Sequence, residues 1–166
     1  MFYHNILHDD MRNGDGLRVV LFVSGCNHHC EECHNPQTWD CYGGIEFDAN
    51  ALSEIFDALG KDYISGLTLS GGDPFHPNNL EVVNTICSTA KTIHPEKTVW
   101  IYTGYLYEEL LKEHQDGILK YCDVLVDGEY KKELSDVNYP WAGSTNQRVI
   151  NVQESLEQKE VVLWTN

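Results

Sequence analysis

The stretch Leu17-Arg18-Val19-Val20-Leu21-Phe22-Val23 runs without a break into Ser24-Gly25-Cys26-Asn27-His28-His29-Cys30-Glu31-Glu32-Cys33-His34-Asn35. Its first seven residues include three β-branched valines and are nearly continuous in apolarity, the pattern of a strand covered on both faces. The loop that follows holds three cysteines at C-x3-C-x2-C spacing. A strand of an α/β protein delivers its chemistry at its C-terminal end, so this loop stands where such folds keep their sites. Three thiolates with no obvious fourth describe a metal centre with one open position.

Upstream, Met1 to Asn13 reads as polar and irregular apart from Ile6 and Leu7, and Asn13-Gly14-Asp15-Gly16 signals a turn. Downstream, Asp48 is placed to cap a helix running to about Leu59, whose apolar residues Leu52, Ile55, Phe56 and Leu59 share one face. Leu67 to Ser70 predicts a second strand, ending in Gly71-Gly72-Asp73-Pro74. Asn79 is the candidate cap of a second helix with the apolar face Val83, Ile86, Cys87 and Ala90. A third strand, Thr98 to Tyr102, ends in Thr103-Gly104-Tyr105. A short helix, Leu106 to Glu113, and a segment near Ile118 precede a fourth strand, Asp123 to Val126, which ends in Asp127-Gly128. The tail predicts two further strands, Arg148 to Val152 and Glu160 to Trp164, around a polar turn.

Strand alternating with helix is the signature of right-handed βαβ units and a parallel sheet. A closed eight-stranded barrel needs ~250 residues, more than the 166 present. The expected fold is therefore α/β, a partial, open βα barrel of parallel strands. One domain is expected over residues 1–166: an N-terminal segment 1–16, a βα core 17–128 and a C-terminal extension 129–166. In a parallel sheet the cysteine loop, Ser70 to Pro74, Thr103 to Tyr105 and Asp127-Gly128 converge on one edge, which predicts a single site there.

Twenty-six acidic against eleven basic residues give a formal charge of −15. That charge repels phosphate backbones, and no basic stripe offsets it, so nucleic acid is not an expected partner. No apolar run reaches the ~20 residues of a membrane span, and the N-terminus lacks the regions of a signal peptide. The expectation is a cytoplasmic protein with no membrane partner. Three of the six cysteines lie within eight residues. In a reducing compartment such clustering favours metal binding over disulfides.

Two metals suit the loop. Zinc wants four N/S ligands, commonly as two separated pairs, and His28, His29 or His34 would have to complete the set. An iron–sulfur cluster takes thiolates, and a four-iron cluster on three cysteines keeps one iron free. The absence of a second Cys-x2-Cys-like pair favours the cluster, but spacing alone leaves both open.

Cys26-x3-Cys30-x2-Cys33 after one strand, with Gly71-Gly72-Asp73-Pro74 after the next, resembles the radical S-adenosylmethionine (SAM) superfamily. Further stretches are Phe22 to Cys26, Leu69 to Pro74, His76-Pro77, Trp100 to Tyr105, Leu125 to Gly128 and Trp141-x-Gly143-Ser144-x-Asn146-Gln147. Together these are similar to the glycyl-radical activating enzymes that serve anaerobic ribonucleoside-triphosphate reductase, over about residues 1–152. The resemblance implies a radical SAM type partial barrel with one [4Fe-4S] cluster per chain, on Cys26, Cys30 and Cys33. SAM would chelate the open iron, with Gly71, Gly72 and Asp73 at its methionine part. Many members carry an aromatic residue just before the third cysteine, where this chain has Glu32. The adenine contact then falls to His34, with Glu32 and Cys33 offering backbone groups. One electron from the reduced cluster cleaves SAM, and the resulting 5′-deoxyadenosyl radical takes a hydrogen atom from a glycine of the reductase. Implied partners are that reductase and an electron donor such as reduced flavodoxin. The alternatives are a radical SAM enzyme acting on a small molecule, and a non-enzymatic zinc or redox module.

The other cysteines read differently. Cys87 lies on the apolar face of a helix and Cys122 precedes a strand, so both are expected in the core. Cys41 follows an Asn-Pro turn that hides its direction, and it is left out of the ligand set. His28 and His29 read as solvated loop residues. Asp127 suits either a ribose contact or a cap, and Trp100, Tyr102 and Tyr105 alternate along a strand and its exit.

Overall fold

The computed structural model describes residues 1–114 and 117–165; Gln115, Asp116 and Asn166 lie outside the described residues. The stretch after the Asn13–Gly16 turn forms β2 (Arg18–Val23), and its neighbours follow in sequence order as β4 (Gly66–Gly71), β5 (Thr98–Tyr102) and β6 (Val124–Asp127), all parallel. Between them lie α1 (Ala49–Leu59), α2 (Leu80–Ile93), and α3 (Tyr107–His114) with α4 (Ile118–Tyr121). Three elements border this core, β1 (Phe2–Asp10), β3 (Ile45–Glu46) and β7 (Arg148–Asn151). They complete one mixed sheet in the order β3-β1-β2-β4-β5-β6-β7.

The period-2 alternation of the parallel strands gives the sheet two unlike faces. Val19, Leu21 and Val23, Leu67 and Leu69, Val99 and Ile101, and Leu125 point into the main core. There they meet Ile55 and Leu59 of α1 and Val83, Ile86 and Ala90 of α2. Arg18, Thr68, Ser70, Trp100 and Tyr102 are the alternate residues, on the other face. Part of that face is closed by a smaller cluster of Trp100, Val124 and Val126 packed against Trp141, Val149 and Trp164. Asp48 caps α1 as expected, accepting from the amides of Asn50 and Ala51 at 2.9 Å each.

Three expectations are corrected. The segment taken as irregular is the nine-residue strand β1, antiparallel to β2, with register shifts between Tyr3 and Asn5 and between Leu7 and Asp10. Its burial does not alternate cleanly, so no period-2 signal marks it. The pairing requirement of the exposed edge of β2 recruits it. In the tail, the supposed polar turn is a helix, α5 (Val152–Gln158), with Asn151 accepting from the Glu154 amide at 3.2 Å. The expected last strand shortens to an isolated bridge of Leu163 to Ile150, flanked by main-chain bonds from Asn151 to Val162 at 2.9 Å and from Trp164 to Val149 at 2.8 Å. Asn79 precedes α2 without capping it through its side chain. Its amide instead donates to the carbonyls of Ser24 and Asp73, at 2.8 and 2.9 Å.

Among the described residues no helix is long and apolar enough to cross a membrane.

A candidate cluster site at the strand ends

The C-terminal ends of β2, β4, β5 and β6 surround a cavity of about 730 Å³. Cys26, Cys30 and Cys33 line it, together with His34, Gly71, Gly72, Asp73, Tyr102 and Gly104. Three separated stretches of sequence thus reach one space, as the convergence of parallel strand ends requires.

The base of the cysteine loop is stitched to its surroundings through main-chain bonds. The Gly25 amide donates to the Thr38 carbonyl at 2.7 Å, and the Cys26 amide to that of Trp39 at 3.1 Å. Across the cavity floor, the Gly72 amide donates to Val23 at 2.8 Å and the Asp73 amide to Gly25 at 2.7 Å. The two loops meet so closely at Gly72 that a Cβ there would stand 2.5 Å from the Gly25 carbonyl oxygen and 3.0 Å from that of Thr38. Only glycine fits this crossing.

All six cysteines are free thiols. Burial pushes the Cys26 thiol up to about 11, against the opposing pull of the His28 and His29 amides, which donate toward its sulfur. Burial also raises Cys30, and the Asn35 amide donates to the Cys33 sulfur at 3.3 Å. Amides aimed at sulfur suit a ligand that becomes an anion when metal displaces its proton. In a four-iron cluster each thiolate binds a separate iron, so its ligands ring the cluster instead of meeting at one point. Among the described residues no three His, Cys, Asp or Glu side chains stand close enough to surround one ion. Three cysteines lining one cavity, with amides aimed at the sulfurs of Cys26 and Cys33, supply the donor chemistry that a cluster takes.

Asp73 is 1 % exposed at the centre of the strand ends. Its carboxylate accepts from the Phe75 amide at 2.8 Å, the Thr103 hydroxyl at 2.9 Å, the Gly104 amide at 3.0 Å and His28 Nε2 at 3.0 Å. His28 reaches Glu129 with its other nitrogen, also at 3.0 Å. Each ring nitrogen thus faces a carboxylate. The Asp73 bond raises the histidine's pKa above its ordinary value.

The remaining site residues stand as follows. His34 lines the cavity with its ring 5.1 Å from that of Tyr130. The Glu32 side chain is exposed and paired with Lys132 at 2.6 Å, outside the cavity lining. Cys41 packs behind the loop, where a Cβ on Gly25 would be 3.0 Å from its own. Cys87 and Cys122 are fully buried in the main core, as expected. Asp127 is fully buried and bonds the Tyr107 amide at 2.8 Å and the Arg148 guanidinium, so it anchors the start of α3 and the edge strand β7.

Sequence reasoning missed the far wall. Residues 137–143 and Gln147 line the cavity. Gln147 holds that wall in place by accepting from the Gly143 amide at 3.0 Å and donating to the Gly128 carbonyl at 2.9 Å. Tyr102 also lines the cavity, and its hydroxyl is buried without a hydrogen-bond partner among the described residues. The only sequence signal for this wall was the Trp141 to Gln147 stretch, which composition cannot place.

Three thiols, a pinched Gly-Gly turn and a buried carboxylate around one strand-end cavity define an α/β iron–sulfur protein. The model of the 4Fe-4S single cluster domain matches residues 12–150. Three relatives are each named anaerobic ribonucleoside-triphosphate reductase-activating protein. That of Enterobacteria phage T4 is 46 % identical over 90 % of this chain and 93 % of its own length. Those of Haemophilus influenzae and Escherichia coli K12 are 43 % and 38 % identical over 83 % and 90 % of this chain, and 90 % and 97 % of their own. The chain belongs to the 4Fe-4S single cluster domain family and, within it, to the anaerobic ribonucleoside-triphosphate reductase-activating proteins.

Proposed function

We propose that this chain activates anaerobic ribonucleoside-triphosphate reductase as a radical SAM enzyme. The observation that carries the reading is that Cys26, Cys30 and Cys33 share one cavity with Gly71 and Gly72. Three cysteines would hold a four-iron cluster and leave one iron for the amino and carboxylate groups of SAM. A reduced cluster held there would supply the one electron for cleaving a carbon–sulfur bond of SAM into methionine and a 5′-deoxyadenosyl radical, which would take a hydrogen atom from a reductase glycine.

The chain's own residues bind, orient and exclude. Gly71 and Gly72 bring main chain against the methionine part where no side chain intervenes. Asp73, its carboxylate already engaged, contributes backbone and fixes the turn. His34 stands in the lining where an adenine ring would stack. Parallel strands that follow one another across the sheet suit the partial barrel of that superfamily. The electron donor is proposed to be a reduced flavodoxin or its equivalent, and the compartment cytoplasmic.

Anaerobic reconstitution should give four irons and four acid-labile sulfides per chain, by the stoichiometry of the proposed cluster. With SAM, reductant and the reductase, a glycyl radical signal should appear by electron paramagnetic resonance. Zinc without labile sulfide would sink the reading. SAM cleavage with no radical on the reductase would shift it to a small-molecule substrate.

A further inference from the structure

Between the first two cysteines stands a side chain tied to three other parts of the site. His28 is 10 % exposed and bridges Asp73 and Glu129 at 3.0 Å each. Its ring lies edge-on to Tyr105, with centroids 4.5 Å apart. It also fills the space over Gly104, where the three atoms nearest to an added Cβ, at 2.5 to 2.7 Å, all belong to this imidazole. The cysteine loop leaves β2, Asp73 follows β4, Gly104 and Tyr105 follow β5, and Glu129 follows β6. One imidazole thus joins the loop to the ends of the next three parallel strands.

The loop's other ties lie at its base and on its outer side, where Lys132 pairs with Glu31 at 3.3 Å and with Glu32 at 2.6 Å, and the His29 and Trp39 ring centroids stand 4.6 Å apart. Its main-chain ties to Thr38 and Trp39 fasten only Gly25 and Cys26. His29 adopts a left-handed backbone (φ 49°), as does Glu32 (φ 55°). Neither is glycine, so the crest stores strain that surrounding contacts must offset. Between Cys26 and Cys30, His28 is the side chain that reaches the ends of β4, β5 and β6, through a hydrogen bond at each ring nitrogen and its edge-on contact with Tyr105.

We propose that His28 is a positioning residue: a clamp that presets the Cys26–Cys33 loop against the strand ends before the cluster arrives and slows the cluster's loss afterwards. The proposal rests on the cluster reading above for the identity of what is held, and not for the clamp itself. Preorganising ligands lowers the ordering cost that metal binding would otherwise carry.

The test uses His28→Ala, Gly104→Ala and the double variant in the full chain. The Gly104 backbone lies outside the left-handed region, so alanine meets no backbone strain and acts first by evicting the ring. Hydrogen exchange on the cluster-free proteins compares amides 26–33 with those of β4 and β5. After reconstitution, iron loss to a chelator and the spectrum of the reduced cluster are recorded. Each single variant is expected to speed exchange in the loop about tenfold with the strands unchanged. Each should raise iron loss by about the same factor, the amount by which support around metal ligands typically alters affinity, and broaden the spectrum. The double variant should match His28→Ala, because the added methyl's nearest neighbours are then gone.

Unchanged loop exchange in His28→Ala, or single effects that multiply in the double variant, would overturn the clamp. So would faster exchange with unaltered iron loss and spectrum, which marks a stabilising residue only. Wild-type protein that takes up no iron would instead overturn the cluster reading, while the exchange data still decide for or against the clamp.

Discussion

The parallel sheet carries a buried polar side chain at each end of its strands, and the two are treated in opposite ways. At the strand starts Arg18 is fully buried. Its guanidinium donates to the carbonyls of Asp15, Leu67 and Thr98 at 2.8 to 3.0 Å and to the hydroxyls of Thr68 and Thr98 at 2.6 and 3.0 Å. It lies 5.3 Å from the centre of the Trp100 ring. Gly66 makes room for it, since a Cβ there would come within 2.8 Å of its Nη2. Burial lowers its pKa to about 10, which leaves it charged at neutral pH. At the strand ends Asp73 is as deeply buried, but its partners include His28 and the ends of neighbouring loops, and a cavity begins beside it. The first end is sealed with fixed carbonyls and an indole. The second is tied by side chains that also border a ligand space. Stability and function are thereby divided along one set of strands, as in barrels whose two faces serve different ends.

The comparison breaks most visibly at the cysteines. Replacing Cys26, Cys30 or Cys33 by alanine should abolish iron uptake and SAM cleavage, while the unfolding free energy of the cluster-free chain in urea stays within about 1 kcal/mol of wild type. Activity retained in any of the three would show that the ligands are others. At the opposite end, Arg18→Met should cost about 3 kcal/mol in urea unfolding, because three carbonyls and two hydroxyls lose their donor in a dry interior. Iron uptake by the fraction that folds should be normal. A loss under about 1 kcal/mol would mean that water or a neighbour replaces the guanidinium, and that this end is not sealed.

Between these lies Gly72→Ala. The added methyl presses on two carbonyl oxygens at once, and overpacking against main chain costs about 2 kcal/mol. Because one of those carbonyls belongs to Gly25, the strain falls on the base of the cysteine loop. Iron loss to a chelator should therefore rise along with the drop in stability. A stability loss with iron retention unaltered would separate the two loops that the geometry joins.

How much of this could be read in advance follows from the range of each signal. Four parallel strands, three helices and the cysteine and Gly-Gly loops announce themselves through local periodicity and turn chemistry, and these survive without knowledge of the fold. β1 has no such pattern, because hydrogen-bonding demand from its neighbour creates it. Arg18 hides inside an apolar run, since nothing local tells a buried guanidinium from an edge residue. Asn79 has the chemistry of a cap and serves as a bridge between Ser24 and Asp73. His28 reads as a solvated loop residue because its partners lie 45 and 101 residues away. Chemistry that depends on the meeting of several strand ends becomes visible only when the sheet is assembled.

The smallest expected effect sharpens the division between sealed and open regions. Cys87 has the same side chain as the three loop cysteines, but lies fully buried on α2 among apolar neighbours, and burial raises its thiol to about 12. A thiol so held does not ionise at neutral pH and cannot reach metal, so it acts as a small hydrophobe. Cys87→Ala removes one sulfur from a packed core, which costs about 1 kcal/mol. Iron content and SAM cleavage should match wild type once both proteins are measured well below their unfolding midpoints. A drop in iron per folded chain would connect the core beneath the helices to the ligand loop, and the separation of the two regions would fail there.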